Sequence, residues 1–475
     1  MNSNRSSRWL EWVLLALVLV LAQWLRLADL AARPMHADEA NQAVKLGGLL
    51  AGEGYRFDPS DHHGPTLYYF SEVVARWRGE NNLAALTEFT VRLTPVLAGV
   101  LAVLLLWILV RPLGRWPALL AALLLTVAPA AVYYSRYFIQ ETLLVTFTLG
   151  AFVCGRAWWE KRGLIWAVGT GGWLGLMLAT KASALVLVAA ACLALAACRR
   201  TSRTPWREVA VVGGVGAFVA AAFYSSFGTN LGGLRDAFVT PFAMLGRVAG
   251  GESGHEKPWW YYLRLFVYQK QGGYVWDESV LLLPALVGAG LGWRRGGLSR
   301  FVAVYVAVIA LVYSLAPYKT PWQVVNLVPG LCILAAITLA SVRRSVAVPL
   351  VLVVLAGLGW QTRQAVFLRP ADERNPFAYV HTVPDMVKVP AIAAAVPAGP
   401  VKVIGREYWP LPWYLRARPA VGFWTEPPTD CDGVLVFVEA DQAEAVRARL
   451  KGNYTESFLG LRPGVLVVVF TRVGA

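Results

Sequence analysis

Residues 10–27 read LEWVLLALVLVLAQWLRL. Only Glu11, Gln23 and Arg26 interrupt this run of Leu, Val, Ala and Trp, and all three lie toward its ends. About 20 mostly apolar residues wound as a helix cross a bilayer, because a helix pairs its own backbone N–H and C=O groups where water cannot. The run is longer than the apolar centre of a secretory signal and lacks a clear small-residue cleavage site. It therefore reads as a retained anchor.

Runs of the same kind recur along the chain. They lie near 9–28, 93–110, 117–134, 143–159, 164–180, 182–198, 209–227, 279–293, 301–317, 323–341 and 346–362. That is about eleven spans by the length rule. Composition agrees: the 475 residues are 57% hydrophobic and 15% charged, with a mean hydropathy of +0.51. An average soluble domain is about 25% charged. The expected fold class is mainly α, a polytopic membrane protein of about eleven transmembrane helices with a small α/β C-terminal domain.

Basic residues give the orientation. With a cytoplasmic N-terminus, one side holds Arg5, Arg8, Arg111, Arg115, Lys161, Arg162, Arg199, Arg200, Arg203, Arg207, Arg294, Arg295, Arg300, Arg343 and Arg344. Short loops on the other side hold only Arg136, Lys181 and Lys319. This positive-inside bias predicts a multi-pass cell-membrane protein with its C-terminal domain outside. The net charge of +15 is thus a topology signal, and nucleic acid is not an expected partner. The five cysteines form no CxxC pair and fall mostly within spans, as apolar packing residues.

The predicted organisation is a membrane domain over 1–362, with outward loops at 29–92 and 228–278, and a soluble domain over 363–475. In the first loop, a helix is expected from Asp38 to Leu50 and a second from Pro65, with Leu67, Phe70, Val73, Val74 and Trp77 on one face. Such helices lie along a membrane surface. Beyond 363, Val401–Ile404, Gly433–Val438 and Gly464–Thr471 read as strands and Asp441–Leu450 as a surface helix. No GxGxxG follows a strand, GxxxxGK[ST] is absent, and the glycines of 169–172 suit close helix packing.

Chemistry concentrates in the outward segments. His36-Ala37-Asp38-Glu39-Ala40 sets two carboxylates just beyond the first span. Asp38 is placed either to cap the next helix or to act as a general base on an acceptor hydroxyl. Asp61-His62-His63-Gly64-Pro65, followed by Tyr68, offers substrate hydrogen bonds or capping. A shared metal would need a turn, since adjacent histidines diverge in regular structure. Arg136 and Glu141 follow the third span, and Lys181 and Lys319 stand at outward span ends. Cations there either pair and snorkel or grip a lipid-linked phosphate. Tyr408, Trp409, Trp413 and Tyr414 suit either acceptor glycan binding or packing.

Six strings carry a resemblance: MHADEA (35–40), YRFDPSDHHGPTLYYF (55–70), SRYFIQE (135–141), PYKTPW (317–322), NPFAYVHTVPDM (375–386) and EYWPLPWYLR (407–416). With the lysine of Thr180-Lys181, they resemble the GT-C membrane glycosyltransferases. The likeness is to the dolichyl-phosphate-mannose protein mannosyltransferases and aminoarabinose transferases, and more closely to the family called flippase-activity-associated proteins. It spans nearly the whole chain. An oligosaccharyltransferase WWDYG signature is absent, with Val275-Trp276-Asp277-Glu278 a faint echo.

The resemblance implies inverting transfer from a polyprenyl-phosphate sugar to a glycan, lipid or protein acceptor, with no cofactor or metal required. Asp38 would be the base, supported by Glu39. Arg136, Lys181 and Lys319 would hold the phosphate. Glu141 would line the donor site; from the residues themselves, His62, His63 and Tyr68 are the further candidates for sugar or substrate binding. Two other readings stay open: a flippase or flippase accessory for lipid-linked sugars, and a membrane-anchored assembly protein.

Overall fold

A computed structural model describes residues 2–58, 63–198, 205–250 and 254–474. Asp61 and the candidate His62, with Arg199, Arg200 and Arg203 of the orientation pattern, lie outside those residues. The chain forms two compact units. The first comprises Met1–Ala28, Gly54–Phe70 and Arg92–Leu368, and the second Asp29–Glu53, Ser71–Val91 and Arg369–Ala475.

The first unit is helical. Trp9–Leu27, Glu88–Leu113, Glu141–Lys161, Trp206–Tyr224, Gly297–Leu315 and Arg344–Leu368 are long and apolar enough to cross a membrane. Four shorter apolar helices are Arg115–Val127, Leu164–Leu178, Ala184–Ala197 and Val328–Leu339. Proline explains two of the shortenings. The expected span over 117–134 breaks at Ala128, held extended at ψ 123° before Pro129, as residues preceding proline favour. In the expected span over 323–341, a 3₁₀ turn at Pro321–Asn326 precedes the helix.

Packing follows residue size. A Cβ on Gly175 would lie 2.6 Å from the Gly216 carbonyl oxygen, so the Leu164–Leu178 and Trp206–Tyr224 helices touch backbone to backbone. Outward faces stay apolar, with Leu17, Val20, Leu311 and Leu352 exposed, as contact with lipid requires. Two charged residues of the first span have partners within the helical unit. Glu11 pairs with Arg111, and the Arg26 guanidinium donates to the carbonyls of Ala22, Leu125 and Thr126. A short hairpin, β1 (Gln269–Gln271) and β2 (Tyr274–Trp276), precedes the Ser279–Arg295 helix.

The second unit holds a five-stranded mixed sheet. Its strands are β3 (Val401–Ile404), β4 (Val421–Trp424), β5 (Leu435–Glu439), β6 (Tyr454–Arg462) and β7 (Val465–Arg472), in the order β4-β3-β5-β7-β6. β3 runs parallel to both neighbours, and the β5–β7 and β7–β6 pairs are antiparallel. Ile404, Val436, Val438, Val468 and Phe470 form the core of one face under Val446. The sequence reading found three strands and missed β4 and β6. β4 is a short edge strand carrying Gly422, and β6 has a mostly exposed face with few apolar residues to mark it.

Candidate functional site

Asp38 stands in the first turn of the Ala37–Leu50 helix, but it is not the cap. A cap residue keeps extended backbone geometry, and that residue is His36, at φ −72° and ψ 157°. The Asp38 backbone N–H donates to His36 Nδ1 at 3.0 Å. Glu39 completes a capping box: its Oε2 accepts from the His36 N–H at 3.1 Å, and its Oε1 accepts from Arg33 Nη2 at 3.0 Å. Because Nδ1 accepts, Nε2 carries the proton, and it donates to the Tyr379 carbonyl at 3.1 Å. His36 thus has both ring nitrogens in backbone hydrogen bonds.

The consequence is a division of labour between the two acids. Glu39 is fully buried and committed to structure. The Asp38 side chain is 48% exposed, with its Oδ2 3.9 Å from His36 Nδ1. His381 packs edge-on to His36 at 5.5 Å between ring centres. Burial, then the charge of Arg33, holds His381 well below the usual histidine range.

Three of the strings meet in this unit. His36 reaches Tyr379, and Met35 N–H donates to the Tyr414 hydroxyl at 2.9 Å. Trp413 is fully buried and donates from Nε1 to Glu88 at 2.8 Å. Trp413 and Tyr414 are therefore packing residues.

In the first unit, the loop at His63–Thr66 lies on the turn between the Leu164–Leu178 and Ala184–Ala197 helices. Gly64 N–H donates to the Thr180 carbonyl at 2.9 Å, and the Thr66 and Thr180 hydroxyls are 2.8 Å apart. This brings His63 to Lys181, whose ammonium is paired with the buried Glu141 carboxylate. Burial, then the Lys181 charge, pushes His63 far below its ordinary range, so the imidazole is neutral. Its Nδ1 is shielded from solvent and has no hydrogen-bond partner among the described residues. Tyr68 is buried against Tyr55, 4.7 Å between ring centres.

A Cβ on Gly64 would lie 2.1 Å from the Ala179 carbonyl oxygen. Gly64→Ala must therefore push the loop off the turn and carry His63 away from Lys181. The expected cost is about 1–3 kcal/mol, as for other overpacked sites. Thermal unfolding in detergent, beside Ala→Gly changes on exposed helix faces, measures it.

The other two cations are also engaged by protein atoms. Arg136 Nη1 donates to the carbonyls of Leu25 and Arg26, at 3.1 Å each, and of Ala28, at 2.5 Å. It closes the C-terminal end of the first span, with its guanidinium 5.2 Å from the Phe367 ring centre. Lys319 is buried, and its Nζ donates to the carbonyls of Lys257 and Ala316. Lys181, by contrast, is held by the Glu141 carboxylate.

Sequence reasoning gave no role to two buried polar residues. Gln140, beside Glu141, is fully buried, and neither atom of its amide is hydrogen-bonded among the described residues. An unmade buried hydrogen bond costs about 1–3 kcal/mol, so this amide points to a ligand or water. Its only sequence signal was its place in SRYFIQE. Glu278 is buried at the start of the Ser279–Arg295 helix, with Oε2 unpartnered among the described residues. Burial, then Asp277, pushes its pKa up to about 8.

A raised carboxyl favours the folded state fully below the ordinary carboxyl pKa of about 4.5, and that advantage is lost as pH rises through about 8. Thermal half-life should fall between pH 5 and pH 8, and Glu278→Gln should flatten the dependence. Inactivation rates across that range check it.

Comparison with known proteins bears on this arrangement. A family model described as dolichyl-phosphate-mannose-protein mannosyltransferase matches residues 62–224. ArnT from Cupriavidus metallidurans, solved bound to undecaprenyl phosphate, is similar over 96% of this chain and 98% of its own, at 15% identity and a TM-score of 0.67. The apo state of the same protein gives 0.62, at 15% identity over 98% of each chain. The archaeal oligosaccharyltransferase AglB from Archaeoglobus fulgidus, solved with an inhibitory peptide and a dolichol-phosphate, gives 0.58 at 11% identity, over 86% of this chain and 64% of its own. No curated protein matches the sequence. This integral membrane protein is thus similar over residues 62–224 to the dolichyl-phosphate-mannose-protein mannosyltransferases, and it shares the fold of ArnT along nearly its full length.

Proposed function

We propose that this protein moves a sugar from a polyprenyl-phosphate donor to an acceptor hydroxyl on the non-cytoplasmic face of the membrane. The observation that carries the reading is the freedom of Asp38. His36 and Glu39 perform the capping, which leaves an accessible carboxylate on a fixed backbone. In the proposed step, the acceptor oxygen attacks the anomeric carbon and its proton passes to Asp38. The bond from that carbon to the phosphate oxygen breaks, and its electron pair leaves with the phosphate.

Lys181 is the strongest candidate to receive that phosphate, because it can exchange one anionic partner, Glu141, for another. Arg136 and Lys319 would contribute positive potential while holding backbone carbonyls. His63, neutral and with Nδ1 unpartnered among the described residues, suits a hydrogen bond to the sugar. The step as written needs no metal. Lipid carriers bound to the fold relatives support the donor class, undecaprenyl phosphate in ArnT and dolichol-phosphate in AglB. The basic-residue pattern supports a cytoplasmic N-terminus and the outward placing of Asp38.

The test uses purified protein and a panel of radiolabelled polyprenyl-phosphate sugars, with crude cell extract among the acceptors. Label released from lipid to water or acceptor supports transfer. Tight binding of intact lipid without any release would overturn it in favour of a carrier that moves lipid-linked sugar across the membrane.

A further inference from the structure

The C-terminal ends of the parallel strands in the second unit carry a feature that sugar transfer at Asp38 does not use. β3 stands at a switch in chain direction: the chain leaves it for β4 on one side and returns to β5 on the other. Open α/β sheets bind ligands outside the carboxyl ends of their strands at such a point. Here the segment after β3, Gly405-Arg406-Glu407-Tyr408-Trp409, is anchored from β5. Glu439 Oε2 accepts from the backbone N–H groups of Arg406 at 2.8 Å and Glu407 at 3.2 Å.

That anchoring presents a strip of aromatic rings. Tyr408 and Trp409 lie nearly parallel, 6.0 Å between centres and inclined by 29°. Tyr408 meets Phe423 of the edge strand β4 at 5.4 Å. Tyr408 and Trp409 are half-buried and Phe423 is 38% exposed, whereas the nearby Trp413 and the sheet's Phe437 and Phe470 are buried. Beside the strip, Arg406 pairs with Glu426 at 2.5 Å, and Glu407 pairs with Arg462. Both pairs include strongly exposed side chains.

Chemistry narrows the ligand. An aromatic strip flanked by both donors and acceptors matches a pyranose, whose C–H face stacks while its hydroxyls bond to the rim. A nucleotide fits poorly. The segment has no glycine-rich phosphate loop, and the following Leu411–Tyr414 helix is too short to offer a dipolar N-terminus. The rim charges, Glu407, Glu426 and Glu439 against Arg406 and Arg462, do not favour an anion.

We infer that Tyr408, Trp409 and Phe423, with the Arg406–Glu426 pair, form a binding platform for a neutral oligosaccharide. The inference does not depend on the donor chemistry proposed above.

The test titrates full-length protein in lipid nanodiscs with neutral manno-, gluco- and galacto-tetrasaccharides, by calorimetry and saturation-transfer NMR. At least one should bind saturably. Tyr408→Ala and Phe423→Ala should each weaken it roughly tenfold, the scale of one lost stacking contact. Tyr408→Phe keeps the ring and should bind as wild type, which separates a lost platform from a misfolded unit. Asp38→Asn should also bind as wild type, so failure of transfer and failure of the platform are told apart. No saturable binding across the panel, or unchanged binding in both alanine variants, overturns the proposal.

Discussion

Asp38→Asn should abolish sugar release while leaving the protein folded and able to hold the intact lipid donor. The expected loss of rate is about 10²–10⁴-fold, the range a positioned general base supplies. The stability half of the prediction follows from the capping geometry. Asp38 contributes its backbone N–H to the cap and keeps its side chain half-exposed. Asparagine preserves the N–H and the shape, so the stability change should stay within about 0.5 kcal/mol, as for other surface substitutions. His36→Ala should do the reverse: it removes the acceptor for that N–H and should cost about 1 kcal/mol. His36→Asn can cap in its place and should recover most of that loss. Rates on the labelled donor, set beside thermal unfolding of all three variants, check the pattern. An Asp38→Asn protein with near-normal turnover would show that another group takes the proton.

Much of this molecule was legible in its sequence, and the limits have physical causes. Spans are written as long apolar runs, and each expected one falls on a helix or on a helix broken by proline. The two helices of the first loop were readable from turn residues and apolar spacing. The identity of the cap was not. Aspartate is a strong cap former and histidine is not among the preferred types, so sequence favoured Asp38. What decided for His36 is distant in the chain: the Tyr379 carbonyl fixes the tautomer that leaves Nδ1 as an acceptor. Pairing with Lys181 was one of the alternatives the sequence left open, and for the same reason it could not be chosen there. Glu141 and Lys181 stood out as charges near the membrane, but no local spacing joins residues forty positions apart. β4 and β6 escaped because their stability comes from neighbouring strands more than from their own alternation.

The Lys181–Glu141 pair is where the largest stability effect is expected. Both side chains are nearly buried, at 8% and 2% exposure. Removing one partner of a buried pair strands the other charge and costs about 3–5 kcal/mol, whereas replacing both with apolar residues can be close to neutral. Lys181→Met alone should therefore unfold at markedly lower temperature, and Lys181→Met with Glu141→Leu should recover most of the loss. Stability alone would not distinguish a structural pair from a working one, so the double variant carries the second measurement. If Lys181 receives the leaving phosphate, that variant should be well folded yet bind polyprenyl phosphate weakly and release no sugar. Normal binding by a stable double variant would confine the pair to structure and shift the phosphate role to Arg136 and Lys319. Those two are held by carbonyl oxygens, which screen a cation less than a carboxylate does. A phosphate near Lys181 would also lie close to Glu141, so binding must rearrange the pair. Glu141→Gln should then tighten polyprenyl-phosphate binding even as it lowers stability, because it frees the ammonium and removes a like charge. Opposite signs for stability and affinity in one variant are what a pair poised for exchange requires.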